Sequence, residues 1–247
     1  LICPDTGGYS YTIDGRGEVW QRKYKNPYKH FPLNAHIRSP KSSIQSFSFN
    51  TQMNIALFGT SADPPSIGHQ QILQWLDNHY DRVLVWVSDN PFKTHQASLS
   101  DRLTMMELTI AAIQPPAQTI GLHPELSDPR TINTVEKAKE LLPHANFTLV
   151  IGGDLVTQLP TWYRAPDLLH QVKLLVVPRQ GVTIAESDIE RLVNMGTEVA
   201  IAPESTSIPN VSSSDYRNNG NSSVIIPTVA AYIQRESLYA WPKSPAP

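Results

Sequence analysis

From residue 53 onward the chain alternates short apolar runs with longer segments in which apolar residues recur at helical spacing. The runs at 54–58, 83–87, 118–122, 147–151 and 173–177 are rich in Ile, Val, Leu or aromatic residues. Such short, nearly continuous apolar runs suit strands covered on both faces of a parallel sheet. A shorter run follows at 198–201. Between the runs, Ile72, Leu73, Trp75, Leu76 and Tyr80 fall on one helical face, and Leu103, Met106, Ile110 and Ile113 on another behind a candidate cap at Ser100. Segments 131–142 and 186–195 read as two further helices. This alternation predicts an α/β fold with a doubly wound, mostly parallel sheet, which binds ligands beyond the carboxyl ends of its strands. No repeat or linker interrupts residues 53–241, which therefore read as one domain followed by a tail at 242–247.

Residues 1–52 differ in character. They carry seven Lys/Arg against three Asp/Glu, are rich in Tyr, Pro and Ser, and lack sustained apolar periodicity. This composition predicts a disordered or loosely attached N-terminal extension. It matches neither a secretory signal nor a transit peptide. Met53, just ahead of the first strand, is a candidate natural start, which would make residues 1–52 an artefact.

Overall composition narrows the class. Hydrophobic residues are 40% and charged residues 17% of the 247, as in ordinary globular proteins. No apolar run approaches the roughly 18 residues that cross a bilayer, so no membrane role is expected. The single cysteine, Cys3, allows no intramolecular disulfide, which fits a reducing, cytoplasmic setting. A net charge of −2 gives no basic footprint for nucleic acid, so the expected ligand is small.

The first strand leads into Gly59-Thr60-Ser61-Ala62-Asp63-Pro64-Pro65-Ser66-Ile67-Gly68-His69 and then a helix. Gly59 and Gly68 let a ligand approach the backbone, and N–H groups at the helix start attract phosphate oxygens. Ser66-Ile67-Gly68-His69 resembles the (His or Thr)-x-Gly-His fingerprint of the nucleotidyltransferase superfamily, with serine at the first position. Ser213-Ser214-Asp215-Tyr216-Arg217 is similar to that superfamily's second signature, a Ser-Ser-x-x-Arg run opening a late helix. Within the superfamily, residues 53–241 most resemble bacterial nicotinate-nucleotide adenylyltransferases. Three stretches carry this: Asn90-Pro91-Phe92-Lys93 with Asp101-Arg102-Leu103-Thr104-Met105, then Arg130-Thr131-Ile132-Asn133-Thr134, then Ile151-Gly152-Gly153-Asp154 with Leu159-Pro160-Thr161-Trp162. Where that family commonly has Ser-Tyr-Thr, this chain has Pro129-Arg130-Thr131.

The resemblance implies a Rossmann-like nucleotidyltransferase fold and the joining of ATP to nicotinic acid mononucleotide with loss of pyrophosphate, a step of NAD biosynthesis. It implies His69 as a donor to the α-phosphate and Ser66 as a hydrogen-bonding neighbour. Arg217, Ser213 and Ser214 would meet the departing pyrophosphate, with Lys93 on a phosphate. Gly59, Thr60, Ser61, Gly68, Gly152 and Asp154 would line the ATP site. Trp162, Thr131, Arg130 and Arg179 would serve the pyridine nucleotide, Arg130 as an added cation near the carboxylate. Mg²⁺ is expected to arrive on the ATP phosphates, with no protein ligand assigned. Nicotinamide mononucleotide as substrate, a nucleotide-binding regulator on the same fold, and a homo-oligomer all stay open.

Overall fold

A computed structural model describes residues 9–13, 19–23, 52–89, 94–203 and 213–239. Lys93, Cys3 and the 242–247 tail lie outside them. Two strands, β1 (Tyr9–Ile13) and β2 (Val19–Lys23), fall within the stretch expected as an extension. The six apolar runs then appear as β3 (Asn54–Thr60), β4 (Arg82–Val87), β5 (Ile120–Leu122), β6 (Asn146–Gly152), β7 (Lys173–Val177) and β8 (Val199–Ile201). They join in one eight-stranded sheet, ordered β2-β1-β8-β7-β6-β3-β4-β5. The segment from β8 to β5 is parallel throughout, and β1 adds antiparallel to β8 with Tyr9 opposite Ile201.

Helices cover both faces, which is why the strands read as unbroken apolar runs. They are α1 (Ile67–Asp77), α2 (Leu99–Ala111), α3 (Thr131–Leu141), α4 (Ala165–Leu169), α5 (Glu186–Asn194), α6 (Ser213–Asn219) and α7 (Pro227–Arg235). On one face Ile55, Leu57, Leu149 and Leu174 pack with Val135 of α3, Leu168 of α4 and Leu192 of α5. On the other, Ala56, Phe58, Val85 and Leu175 pack with Leu73 and Leu76 of α1 and Met106 of α2.

Two expectations about α2 change. Its cap is Ser98, two residues earlier than Ser100, because the Ser98 hydroxyl accepts the Asp101 N–H at 3.1 Å. The helix also buries a second side: Met105 packs with Val229 and Ile233 of α7. Tyr80 and Ile113 lie past the last residues of α1 and α2, yet both pack in the same core.

The chain runs outward from β3 through β4 to β5, then returns to the opposite side of β3 as β6. Loops after β3 and β6 therefore diverge, and the crevice between them is where such a sheet takes ligands.

Candidate active site

A cavity of about 970 Å³ opens at this crevice. Every site residue expected from the sequence that falls among the described residues lines it: Gly59, Thr60, Ser61, Ser66, Gly68, His69, Arg130, Thr131, Gly152, Asp154, Trp162, Arg179, Ser213, Ser214 and Arg217. Its wall also holds residues the sequence did not single out, among them Asp63, Ser88, His95, Asp128 and Tyr163.

The β3–α1 loop fixes the first part of the wall. Gly59 faces the Trp86 indole of β4, and a Cβ at this glycine would lie 2.2 Å from the Trp86 Cζ2. The glycine is thus needed for strand-to-strand packing as well as for any ligand approach. Ser66 ends the loop as the N-cap of α1. His69, at the third helical position, reaches back so that its Nδ1 accepts the Ser66 backbone N–H at 3.0 Å and faces the Ser66 hydroxyl at 2.9 Å. This is the reciprocal capping arrangement usually made with Glu or Gln, here made by an imidazole. Because a backbone N–H can only donate, Nδ1 carries no proton and the neutral ring holds its proton on Nε2. Nε2–H donates to the Thr60 hydroxyl at 2.8 Å. Burial, then the positive charge of Arg179, lower the His69 pKa from 6.5 to about 4. At neutral pH the cavity therefore presents an uncharged Nε2–H donor beside a guanidinium.

Helix α6 is fastened to the same loop. Ser213 Oγ donates to the Pro64 carbonyl at 2.7 Å, Arg217 Nη1 donates to the Asp63 carbonyl, and Arg217 Nη2 donates to Ser214 Oγ at 3.0 Å. Asp63, 2% exposed, joins four segments around the cavity. Its carboxylate accepts the Gln96 N–H at 3.0 Å, the Ala97 N–H at 3.2 Å and the Tyr239 hydroxyl at 2.6 Å, with Arg217 Nη1 4.0 Å away. Burial, followed by this carboxylate, pushes the Tyr239 hydroxyl well above its ordinary pKa, so it remains a donor. Arg102, 1% exposed, donates to the carbonyls of Ser61 at 2.9 Å, Ser88 at 2.8 Å and Ala97 at 3.3 Å, and to Asp89 at 2.9 Å. It fixes the ends of β3 and β4 relative to one another.

The far wall comes from β6, α3 and the segment before α4. Asp154 follows β6, and a Cβ on Gly152 would lie 2.6 Å from its Oδ1, so this glycine leaves room for the carboxylate. Thr131 is the first residue of α3 and Arg130 its N-cap. Half-buried Trp162 packs against the core on one side and lines the cavity on the other. Arg130 Cζ lies 3.8 Å from the centre of the Tyr163 ring. Among the described residues no group of three or more His, Cys, Asp or Glu is arranged to hold a metal ion. None of the described helices is long and apolar enough to cross a membrane.

Residues 57–219 match the cytidylyltransferase-like family. The chain is similar to a probable nicotinate-nucleotide adenylyltransferase of Synechocystis, 39% identical over 206 residues that cover 76% of this chain and 99% of that protein. A probable nicotinate-nucleotide adenylyltransferase of Bacillus cereus is 28% identical, covering 75% of this chain and 97% of the relative. In fold the chain is similar to the nicotinic acid mononucleotide adenylyltransferase of Plasmodium falciparum solved with NaAD. The TM-score is 0.65 at 22% identity, over 76% of this chain and 98% of that one.

Proposed function

The chain belongs to the cytidylyltransferase-like family, and from that premise we propose that it is a nicotinate-nucleotide adenylyltransferase. It joins the AMP moiety of ATP to nicotinic acid mononucleotide, giving nicotinic acid adenine dinucleotide and pyrophosphate in NAD biosynthesis. The observation that carries this reading is a continuous cavity of about 970 Å³ at the crevice between β3 and β6. That volume stands at the upper end of small-molecule sites, about 300 to 1,000 Å³, as two nucleotides bound side by side require. Its wall includes His69 and Arg217 from the β3–α1 loop and α6, together with Trp162 and Thr131 from the segments before α4 and at the start of α3.

An oxygen of the mononucleotide 5′-phosphate attacks the α-phosphorus of ATP. A phosphorus–oxygen bond forms on one side, the bond to the β-phosphate breaks on the other, and pyrophosphate departs. The nucleophile needs no general base, because the second pKa of a phosphate monoester is about 6 and it is already ionised at neutral pH. The work left to the protein is alignment and charge stabilisation. Alignment of bound reactants contributes about 7 to 11 kcal/mol. His69 Nε2–H turns from Thr60 to an α-phosphate oxygen, a short change of partner for a ring already fixed at Nδ1. Arg179 and Arg217 supply cationic forks suited to phosphate, and Lys93 adds a further cation. Ser213 and Ser214 give hydroxyl donors toward the pyrophosphate, beside N–H groups at the loop and helix starts. Asp154 accepts from ribose hydroxyls, with Gly59, Thr60, Ser61, Gly68 and Gly152 close to the nucleotide. A magnesium ion entering on ATP would neutralise phosphate charge, its ligands being phosphate oxygens and water. We place the reaction in the cytoplasm.

The test is pyrophosphate release by the purified chain with ATP and magnesium, comparing nicotinic acid with nicotinamide mononucleotide. Release with the acid is expected, falling about a hundredfold or more in His69→Ala. Absence of release with both mononucleotides would sink the reading, and a preference for nicotinamide mononucleotide would move it to the amide.

A further inference from the structure

We infer that Tyr163 and Arg130 form a substrate-selecting pair, in which the aromatic ring holds the guanidinium as the reader of the pyridine carboxylate. The inference rests on the adenylyltransferase reading and deepens it. Both residues line the cavity, next in sequence to Thr131 and Trp162. Tyr163 is 52% exposed, a large aromatic left open to the site, and Arg130 Cζ stands 3.8 Å from its ring centre. Among the described residues no oxygen accepts from the Arg130 guanidinium; its partner is the π-face. Stacking of this kind fixes the plane of a guanidinium while leaving its N–H edges for a ligand. A carboxylate with two parallel oxygens is the group that such an edge binds best.

The neighbouring acid supports the same preference. Asp128 also lines the cavity, and an unengaged carboxylate there would repel an acid substrate and accept from an amide. Its oxygens are instead taken by three donors of the chain: Arg130 N–H at 2.9 Å, Asn133 Nδ2 at 3.0 Å and Lys137 Nζ at 3.3 Å. Asp128 therefore braces the backbone of Arg130, and Lys137 offsets its charge. Next to Tyr163, Arg164 is committed to Asp167 at 2.7 Å and Glu136 at 3.3 Å. Arg130 keeps its hydrogen-bonding edge uncommitted among the described residues.

Steady-state pyrophosphate release with each mononucleotide, using the full chain and variants of unchanged melting temperature, tests the pair. Arg130→Gln is expected to raise KM for nicotinic acid mononucleotide about tenfold or more, since it removes a charge-assisted hydrogen bond, while leaving kcat and the amide's KM little changed. Tyr163→Ala should raise the acid's KM by a smaller factor of about two to five, and Tyr163→Phe, which keeps the ring, should behave as wild type. Equal changes in KM for acid and amide in Arg130→Gln, no change in either, or a Tyr163→Phe as impaired as Tyr163→Ala would each overturn the pair. A wild-type chain that turns over neither mononucleotide would overturn the adenylyltransferase reading itself, and the pair with it.

Discussion

At the scale of single residues, His69 combines a structural task with the chemical role proposed for it. Its Nδ1 is consumed in capping α1, and this leaves Nε2–H as the only proton the ring offers to the cavity. A charged imidazole would set two donors face to face at Ser66, and burial and Arg179 oppose it further. Nitrogen-15 chemical shifts should therefore report the Nε2–H tautomer in the ligand-free protein and a midpoint near 4, rising when ATP adds negative charge. Because the folded value of about 4 lies below the ordinary 6.5, the unfolded chain binds more protons between those pH values. Stability contributed by the neutral ring is complete above pH 6.5 and is lost as pH falls toward 4. Melting temperatures at pH 7.5 and 5 should fall further apart in wild type than in His69→Gln. Parallel pH profiles in the two proteins would contradict the depressed pKa.

At the scale of elements, the site depends on two buried polar residues that hold loops together, Asp63 and Arg102. Arg102→Met removes donors from the carbonyls of Ser61, Ser88 and Ala97 at once. The expected loss is about 3 to 5 kcal/mol, or a melting temperature lower by about 10 °C for a domain of this size. Asp89→Ala removes a partner that is 60% exposed and should cost under about 1 kcal/mol, which differential scanning calorimetry can separate. The contrast between these residues and the strands explains what could be read in advance. Burial on both faces writes a strand into the sequence as an apolar run, and glycines with His69 mark the first loop. Asp63 carries no such mark. Beside two prolines it reads as a turn residue, and its partners Gln96 and Tyr239 stand 33 and 176 positions away. The cap of α2 reads as Ser100 in the sequence because that serine is the nearest ahead of the apolar stripe, whereas the hydroxyl that accepts the Asp101 N–H belongs to Ser98. Helix α4, with five residues, is too short to show a period, whereas α7 had readable signals in Pro227 at its start and Arg235 in its last turn.

At the scale of the whole molecule, the cavity and the N-terminal strands lie at different places on one sheet. The cavity opens at the switch between β3 and β6, whereas β1 and β2 extend the far edge by pairing antiparallel with β8. The Synechocystis relative is matched over 99% of its length by 76% of this chain, so that relative has almost nothing outside the part the two share. What β1 does supply is hydrogen-bond partners for β8, a strand of three residues that would otherwise be an open edge. Open edges recruit strands from other molecules. A chain beginning at Met53 should therefore keep its melting transition and its pyrophosphate release, while light scattering during gel filtration shows larger species at raised concentration. If that shortened chain stays monodisperse, β8 is short enough to protect itself. If it fails to fold, the N-terminal strands belong to the stability of the sheet and not only to its edge.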